Sequence, residues 1–353
     1  MSEMKDASCL DHAAGPGRLG WAGSRTTRRQ FAIACGAAAL SAGAMGLAGL
    51  SPAADVVPPK PKPKRNAAVV AAVEAMTFDA AKPAKPRKLL IYSHCNGYSH
   101  GPGIAALATA LEAMGRKTGA FECVISDDLA NFEADAIGQF DAIFFNNASG
   151  QKFVGKAFEQ SANPLPKDQQ AEATARLRKN LVEFVKGGKG IAGNHGAADG
   201  WPHDAREDWK EWCEMIGGNL IGHNWEKVAV TNDDPGNPVN AAFDGKDFEI
   251  SEEIYMFGPH NPKAGKKWDP YGRDVNRVLL SVDVAKSGIT TGPRADNDYG
   301  LSWIKNYGKG RTFYCAFGHH VEVFTNPPVL KHFLAGVQFV LGDLKAEAKP
   351  RGK

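Results

Sequence analysis

Residues 88–101 read Lys88-Leu89-Leu90-Ile91-Tyr92-Ser93-His94-Cys95-Asn96-Gly97-Tyr98-Ser99-His100-Gly101, an apolar run followed by a polar loop. Consecutive apolar residues without polar alternation are typical of a strand buried in a parallel sheet. From Gly101 to Met114, apolar residues recur every three or four positions, which predicts a helix with one buried face. A strand, a loop and a helix in this order predict the start of an α/β sheet.

The same order of elements recurs along the chain, with strands predicted at Phe121–Ile125, Asp141–Phe145 and Gly190–Gly193 and a helix at Ala171–Lys186. Further strands are predicted at Val228–Thr231, Phe248–Ile254, Arg277–Val282, Leu301–Ile304 and Thr312–Phe317, and further helices at Ala205–Met215 and Pro328–Leu341. The alternation predicts an α/β fold with a doubly wound, mostly parallel sheet flanked by helices. The C-terminal half adds extra strands to it.

Charge and cysteine content exclude several classes of protein. The 353 residues include 42 basic and 39 acidic ones, a net charge of +3, which argues against a nucleic-acid or membrane-surface binder. Beyond residue 54 the cysteines are Cys95, Cys123, Cys213 and Cys315, widely spaced and without a CxxC pair. This spacing is that of neither a disulfide scaffold nor a thiolate zinc site.

The first 54 residues have the pattern of an export signal. Thr27-Arg28-Arg29-Gln30-Phe31 resembles the twin-arginine motif, and the uncharged segment 31–50 follows it. We therefore expect a signal peptide over residues 1–54, a periplasmic or secreted protein and no membrane anchor in the mature chain. A disordered arginine-bearing tail is the alternative.

Composition predicts three further segments. A Pro/Lys-rich linker is expected over residues 55–87, with a short helix-like patch at Ala67–Met76 inside it. The folded domain is expected over residues 88–345, and a tail over 346–353.

Histidines and asparagines are concentrated where the predicted strands end. Ligands of open α/β sheets bind outside the carboxyl ends of the strands, so these side chains predict a shared polar pocket. Flanking glycines would let the backbone approach a ligand closely. The residues concerned are His94, Asn96 and His100, then Asn146 and Asn147, then Asn194 and His195, then His223, and finally His319 and His320.

The ligand of such a pocket stays open at this point. Neutral imidazoles suit a divalent metal such as zinc, and His100, His195, His223 and His319 are the candidate ligands. Their spacing matches no local metal motif such as HExxH, however, and a polyhydroxylated ligand would use the same residue types.

Acid–base chemistry has a candidate in Glu252-Glu253-Ile254-Tyr255, at the end of a predicted strand. Alternation along a strand predicts one carboxylate in the cleft and the other pointing outward. Two solvated acids on a strand edge are the alternative. Nucleophilic catalysis is poorly supported, because the turn Gly193-Asn194-His195-Gly196 has neither Cys nor Ser where a nucleophile elbow would carry one.

Taken together, these segments resemble the ThuA-like (trehalose utilisation) family over about residues 88–344. The matching stretches are Gly97–His100, Gly187–His195, Gly217–His223, Glu252–Tyr255, and Trp303 through Tyr307–Tyr314 to His319. The resemblance implies a fold like that of class I glutamine amidotransferases without their catalytic cysteine. It also implies a role in sugar utilisation, on oxidised (3-keto) glycosides and beside a sugar dehydrogenase, and metal is associated with some members.

By matching motifs, the resemblance makes His100, His195, His223, Glu253 and His319 site residues, with catalytic roles expected for Glu253, His195 and His223. Substrate binding is expected of Asn96, Tyr98, Asn194, Tyr255 and Trp303. The leading hypothesis is a hydrolase, lyase or sugar isomerase rather than a glutamine amidotransferase, with a small carbohydrate as its ligand. Its rivals are a non-catalytic sugar- or metal-binding module and a degenerate scaffold that acts through partners.

Overall fold

The computed structural model describes residues 65–199, 209–258 and 269–352. These residues contain one nine-stranded sheet in the order β2-β1-β3-β4-β9-β8-β7-β5-β6. The strands are β1 (Lys88–Tyr92), β2 (Glu122–Ile125), β3 (Ala142–Asn146), β4 (Gly190–Asn194), β5 (Leu220–Asn232), β6 (Phe248–Phe257), β7 (Arg277–Val282), β8 (Gly300–Tyr307) and β9 (Gly310–Cys315).

Six α-helices occur within the described ranges. They are α1 (Ala67–Ala75), α2 (Gly101–Thr118), α3 (Lys156–Glu159), α4 (Lys167–Lys186), α5 (Lys210–Ile216) and α6 (Pro327–Leu341). The sheet is parallel from β2 to β9 and antiparallel from β9 to β6. The α/β prediction, a mostly parallel core with extra strands from the C-terminal half, is confirmed.

The parallel half of the sheet brings four carboxyl ends together. β1, β3, β4 and β9 are neighbours and run in the same direction, so the residues after each strand share one edge. All five residues of β3 and of β4 are buried, which explains why their sequences show apolar runs rather than alternation. Helices α2 and α4 follow β1 and β3, as a doubly wound sheet requires.

The antiparallel half bends back over that edge. In a flat sheet, β6 would lie four strand spacings, or about 19 Å, from β9. Glu253 of β6 nevertheless lies 3.2 Å from His319, which follows β9. The pairing of β5 with β6 shifts register three times between Leu220 and Lys227, and such bulges bend and twist a strand pair. β6 runs in the same direction as β9, so its carboxyl-terminal half reaches the same edge.

Both ends of the domain extend further than composition indicated. Val69 and Val73 of α1 are fully buried, and Ala81 exchanges two backbone hydrogen bonds with the side chain of Gln338, at 3.1 and 2.6 Å. At the other end, Arg351 lies 3.3 Å from a carboxylate oxygen of Asp234. Residues 65–87 and 346–352 therefore pack on the domain rather than forming a linker and a tail. The Pro/Lys-rich composition of the first segment did not indicate this, because the packing depends on a few buried side chains.

Some predictions fall outside the described residues, namely the signal peptide over 1–54, the first part of the linker, and the residues 205–208 that open one predicted helix. In the described ranges, Cys95, Cys123, Cys213 and Cys315 are free thiols. Across the same ranges no helix combines the length and apolar character that crossing a membrane requires.

Candidate functional site

A cavity of about 690 Å³ opens at the edge where the parallel strands end. His100, Glu253 and His319 line its inner part, and His223 lies at its mouth with 53% of its side chain exposed. The volume is within the range of cavities that bind small organic ligands. The cavity therefore has the position and the size expected of a ligand site in an α/β sheet.

Four side chains converge next to this cavity, and each can offer one metal-ligating atom; three of them line it, and His195 is fully buried. His100 immediately precedes α2, His195 follows β4, Glu253 lies on β6, and His319 follows β9. The four atoms all lie within 4.8 Å of one another. No sequence motif connects these residues, so it is the fold that assembles them.

Glu253 is the centre of this cluster. Its Oε2 lies 3.1 Å from Nε2 of His195 and 3.2 Å from Nδ1 of His319, and its Oε1 lies 3.0 Å from Nδ1 of His223. Burial raises the pKa of Glu253, and protonated imidazoles beside the carboxylate lower it, with His195 the largest of them.

His195 is held through both its backbone and its ring. It opens a short 3₁₀ helix (His195–Ala198) in a left-handed conformation, with a φ of 39°, and Tyr314 donates a hydrogen bond of 2.8 Å to its carbonyl. Its Nδ1 lies 2.8 Å from the carbonyl oxygen of Ala316. Because a carbonyl oxygen only accepts hydrogen bonds, we assign the ring proton to Nδ1, and the lone pair on Nε2 faces Glu253.

With this tautomer, two hydrogen-bond acceptors face each other: Nε2 of His195 and the carboxylate of Glu253. Burial lowers the pKa of His195, and with its ring proton on Nδ1 the Nε2 lone pair faces Oε2 of Glu253 at 3.1 Å. Burial, with the neighbouring His195 and His319, also lowers the pKa of His100 to about 3. Nδ1 of His100 is buried and has no hydrogen-bond partner within the described part of the chain, and Nδ1 of His319 is buried with the Glu253 carboxylate 3.2 Å away but no hydrogen bond to it. A divalent cation would satisfy these lone pairs, so the donor set fits such an ion.

Two asparagines hold the loops that carry the histidines. Asn194 accepts the backbone N–H of Asn147 at 2.9 Å and donates to the carbonyl of Phe317 at 3.1 Å. Asn147 donates to the carbonyl of Gly318 at 3.3 Å. Asn194 was expected to bind substrate, but it is fully buried and does not line the cavity. Its amide is used to join β3, β4 and β9.

Trp303 was also expected to bind substrate, and the structure places it elsewhere. It is fully buried, donates from Nε1 to the carbonyl of Ile216 at 2.8 Å, and stacks on Tyr314 with ring centroids 4.5 Å apart. It belongs to the core beneath the sheet edge rather than to the substrate site. Both faces of β8 are buried, so the sequence could not show which way this indole points.

The other residues expected to bind substrate do line the cavity: Asn96, Tyr98 and Tyr255. Tyr98 is 69% exposed, and Tyr255 packs against the His195 ring with centroids 3.8 Å apart. The loop carrying Asn96 and Tyr98 is tied to the loop after β3, since the N–H of Asn96 and that of Gly97 both donate to the Ser149 carbonyl, at 3.0 and 3.2 Å.

Sequence reasoning missed part of the cavity wall. Asp199, Leu220 and Ile221 line it, and none of them was a candidate. Asp199 follows the histidine turn by four residues, a signal that could have been used. Leu220 and Ile221 gave no signal, because apolar residues at the start of a strand are indistinguishable from core. Glu252 was expected to point outward, but its side chain is fully buried.

The fold and the cavity together define an α/β protein with an amidotransferase-like sheet and a histidine–carboxylate cluster at the strand ends. The ThuA family model, described as trehalose utilisation, matches residues 88–340. The chain belongs to this family.

The chain is similar to proteins of solved structure, and the first of the following two has the same fold. A ThuA-like protein from Bacteroides uniformis has 18% sequence identity and a TM-score of 0.55, and the alignment covers 75% of this chain and 95% of that one. A cytoplasmic protein from Salmonella typhimurium has 14% identity and a TM-score of 0.44, with 72% and 98% covered. No curated protein matches the sequence.

Proposed function

We propose that the protein is an enzyme of carbohydrate utilisation that cleaves an oxidised (3-keto) glycoside, as a lyase or hydrolase, in the cavity at the strand ends. The observation that carries the proposal is the convergence of His100, His195, Glu253 and His319, whose ligating atoms lie within 4.8 Å. Three imidazoles and one carboxylate form a donor set for a divalent metal such as zinc.

His100, His195, Glu253 and His319 would hold the metal. A dication bound there would act as a Lewis acid and stabilise negative charge on the keto oxygen. The chain itself orients the ligands, since the Ala316 carbonyl fixes the tautomer of His195.

His223 and Glu253 form the proton-transfer pair in this proposal. Nδ1 of His223 lies 3.0 Å from Glu253 Oε1, and a proton on that Nδ1 leaves the Nε2 lone pair of His223 to act as a base at the mouth of the cavity. Nε2 takes the proton from C2 of the sugar, beside the keto group, and the electron pair moves onto the C3 oxygen as an enolate. When the electron pair of the enolate returns, a C1–C2 double bond forms and the bond from C1 to the leaving oxygen breaks. The leaving oxygen takes the proton from Nε2 of His223. Addition of water across the double bond completes hydrolysis.

The cavity wall supports a carbohydrate ligand. Asn96 and Asp199 supply polar groups, and the exposed ring of Tyr98 supplies an apolar face of the kind that stacks on a sugar. A reaction on a 3-keto glycoside requires that another enzyme oxidise the sugar, and a sugar dehydrogenase is the partner we propose.

The test combines metal analysis with a turnover assay. The protein should contain about one zinc, manganese or iron per chain when purified without chelator, and should release the leaving group from a 3-keto glucoside. Glu253→Gln should abolish turnover, while Glu226→Gln, an exposed acid on the neighbouring strand, should not. Binding of the keto glycoside without turnover in the unmutated protein would favour the non-catalytic module. Variants of His195 and His223 that change only stability would favour the degenerate scaffold.

Export is a separate proposal that rests on the twin-arginine pattern at Arg28-Arg29. Fractionation of cells that express the full chain should place the protein in the periplasm or the medium. Replacing both arginines by lysine should retain it in the cytoplasm, and an unchanged distribution would refute the proposal.

A further inference from the structure

Glu252, the neighbour of Glu253, faces away from the cavity and is enclosed by backbone. Its carboxylate accepts the N–H of Glu253 at 2.8 Å, that of Gly318 at 3.1 Å, that of His319 at 3.1 Å and that of His320 at 3.1 Å. Its side chain is fully buried. A solvated acid on a strand edge would not accept hydrogen bonds from four backbone N–H groups, so that alternative does not describe Glu252.

A buried carboxylate is costly unless its oxygens are hydrogen-bonded. No lysine or arginine among the described residues forms an ion pair with Glu252, so backbone N–H groups supply the compensation. An apolar residue could fill the same space at lower cost. We therefore explain the presence of a carboxylate at this position by the backbone segments that its hydrogen bonds hold in place.

These hydrogen bonds connect two strands that are not neighbours. Glu252 lies on β6 and residues 318–320 follow β9, with β5, β7 and β8 between them in the sheet. The segment 318–320 is held from the other side by Asn147, which donates to the Gly318 carbonyl. Helix α2 also packs closely on it, since a Cβ on Gly103 would lie 2.2 Å from the Gly318 oxygen. Among these contacts, the hydrogen bonds of Glu252 are the ones that join the segment to β6, the strand that carries Glu253.

We propose that Glu252 is the positioning residue of the histidine–carboxylate cluster: it fixes the backbone of His319 against that of Glu253, so that their side chains meet at 3.2 Å. The inference rests on the proposed function, because it assigns Glu252 its role toward that same site. Glu252 does not itself touch the ligand, since it does not line the cavity.

The test compares Glu252→Gln with Glu252→Asp and with a matched control, Glu249→Gln. Glu249 lies on the same strand and its side chain pairs with Lys227 at the surface. In Glu252→Gln, hydrogen–deuterium exchange at the amides of residues 318–320 should become at least about tenfold faster, and zinc affinity should fall about 10–100-fold. Glu252→Asp keeps the charge but is one methylene shorter, so it should recover part of both. If the Gln variant does not fold, the Asp variant carries the test, with losses in the same direction.

Unchanged exchange at residues 318–320 in both Glu252 variants would overturn the inference. Faster exchange with wild-type zinc affinity and wild-type NMR signals of the His319 ring would also overturn it, because Glu252 would then be only structural. Failure of the proposed metal site is distinguishable, since a wild-type protein that binds no zinc would refute that site alone. The His319 ring signals would then decide the positioning role: they should shift in Glu252→Gln and not in Glu249→Gln.

Discussion

Replacing His223 by alanine should remove catalysis and leave both the fold and the metal in place. His223 lies at the mouth of the cavity, and its contacts within the described residues are with Glu253, at 3.0 Å, and with the ring of Tyr255, at a centroid distance of 5.9 Å. It is not among the four groups whose ligating atoms converge. Its removal therefore takes away the proposed base without opening the core.

The two expected effects differ strongly in size. A pair such as His223 and Glu253, in which the histidine is half-exposed, contributes up to about 1 kcal/mol to stability. For a domain of this size that corresponds to a Tm shift of about 2–4 °C at most. A general base contributes about 10²–10⁴-fold in rate, which is about 3–5 kcal/mol in activation free energy. The loss of turnover should therefore far exceed the loss of stability.

The assay measures kcat and KM on a 3-keto glucoside, metal content by plasma mass spectrometry, and Tm by calorimetry. His320→Ala is the matched control, because His320 is also a partly exposed histidine at this edge and makes no contact with Glu253. We expect kcat to fall at least about 100-fold in His223→Ala and less than about threefold in His320→Ala, with metal content unchanged in both. Wild-type kcat in His223→Ala would refute the base assignment, and loss of the metal would show that His223 is a ligand.

Three further outcomes follow from the same contacts. His195→Ala should lose the bound metal, because the ring supplies an Nε2 lone pair to the cluster, and a variant that keeps one metal per chain would contradict the ligand assignment. Trp303→Phe should lower the free energy of unfolding by about 1–3 kcal/mol, by leaving the Ile216 carbonyl unpaired, without changing KM; an altered KM would return Trp303 to the substrate site. Burial lowers the pKa of His332 to about 4 from 6.5, so the unfolded chain takes up the proton first as pH falls. We expect the free energy of unfolding of the wild type, relative to that of His332→Gln, to be constant above pH 6.5 and to fall by about 3 kcal/mol between pH 6.5 and 4. Urea unfolding at a series of pH values measures this difference, and a difference that does not vary with pH would contradict the prediction.

The parallel half of the fold could be predicted because its physical signal is local. β1, β3 and β4 are buried on both faces, so each is a short apolar run that needs no knowledge of its partners. The same holds for a polar pocket at the strand ends, since the carboxyl ends of parallel neighbours lie at one edge of the sheet. The rule predicts a polar pocket at this edge, but which histidines meet depends on the strand order, and the order β1-β3-β4-β9 brings His100, His195 and His319 together.

The rest of the site depends on long-range geometry that the sequence does not encode locally. Glu253 reaches the histidines because bulges between Leu220 and Lys227 bend the β5–β6 pair over the sheet edge. The periodicity of those residues is broken by the bulges themselves, which is why the sequence predicted a strand only from Val228. Asn194 and Trp303 show a related limit, since residue type indicates hydrogen-bonding capacity but not whether backbone or ligand will use it.

The turn after β4 shows how one backbone feature can serve different chemistry. A strained turn at this place in an α/β sheet aims a side chain across the strand ends, and in hydrolases with a nucleophile elbow that side chain is Ser or Cys. His195 keeps the left-handed backbone, with a φ of 39°, but directs Nε2 at Glu253 rather than at open space. The strain is offset by the hydrogen bond from Tyr314 to the His195 carbonyl and by the contact of its ring with the Ala316 carbonyl. The turn that presents a nucleophile in those hydrolases thus presents the Nε2 lone pair of His195 in this protein. Function must therefore be argued from the side chains at the turn rather than from the fold.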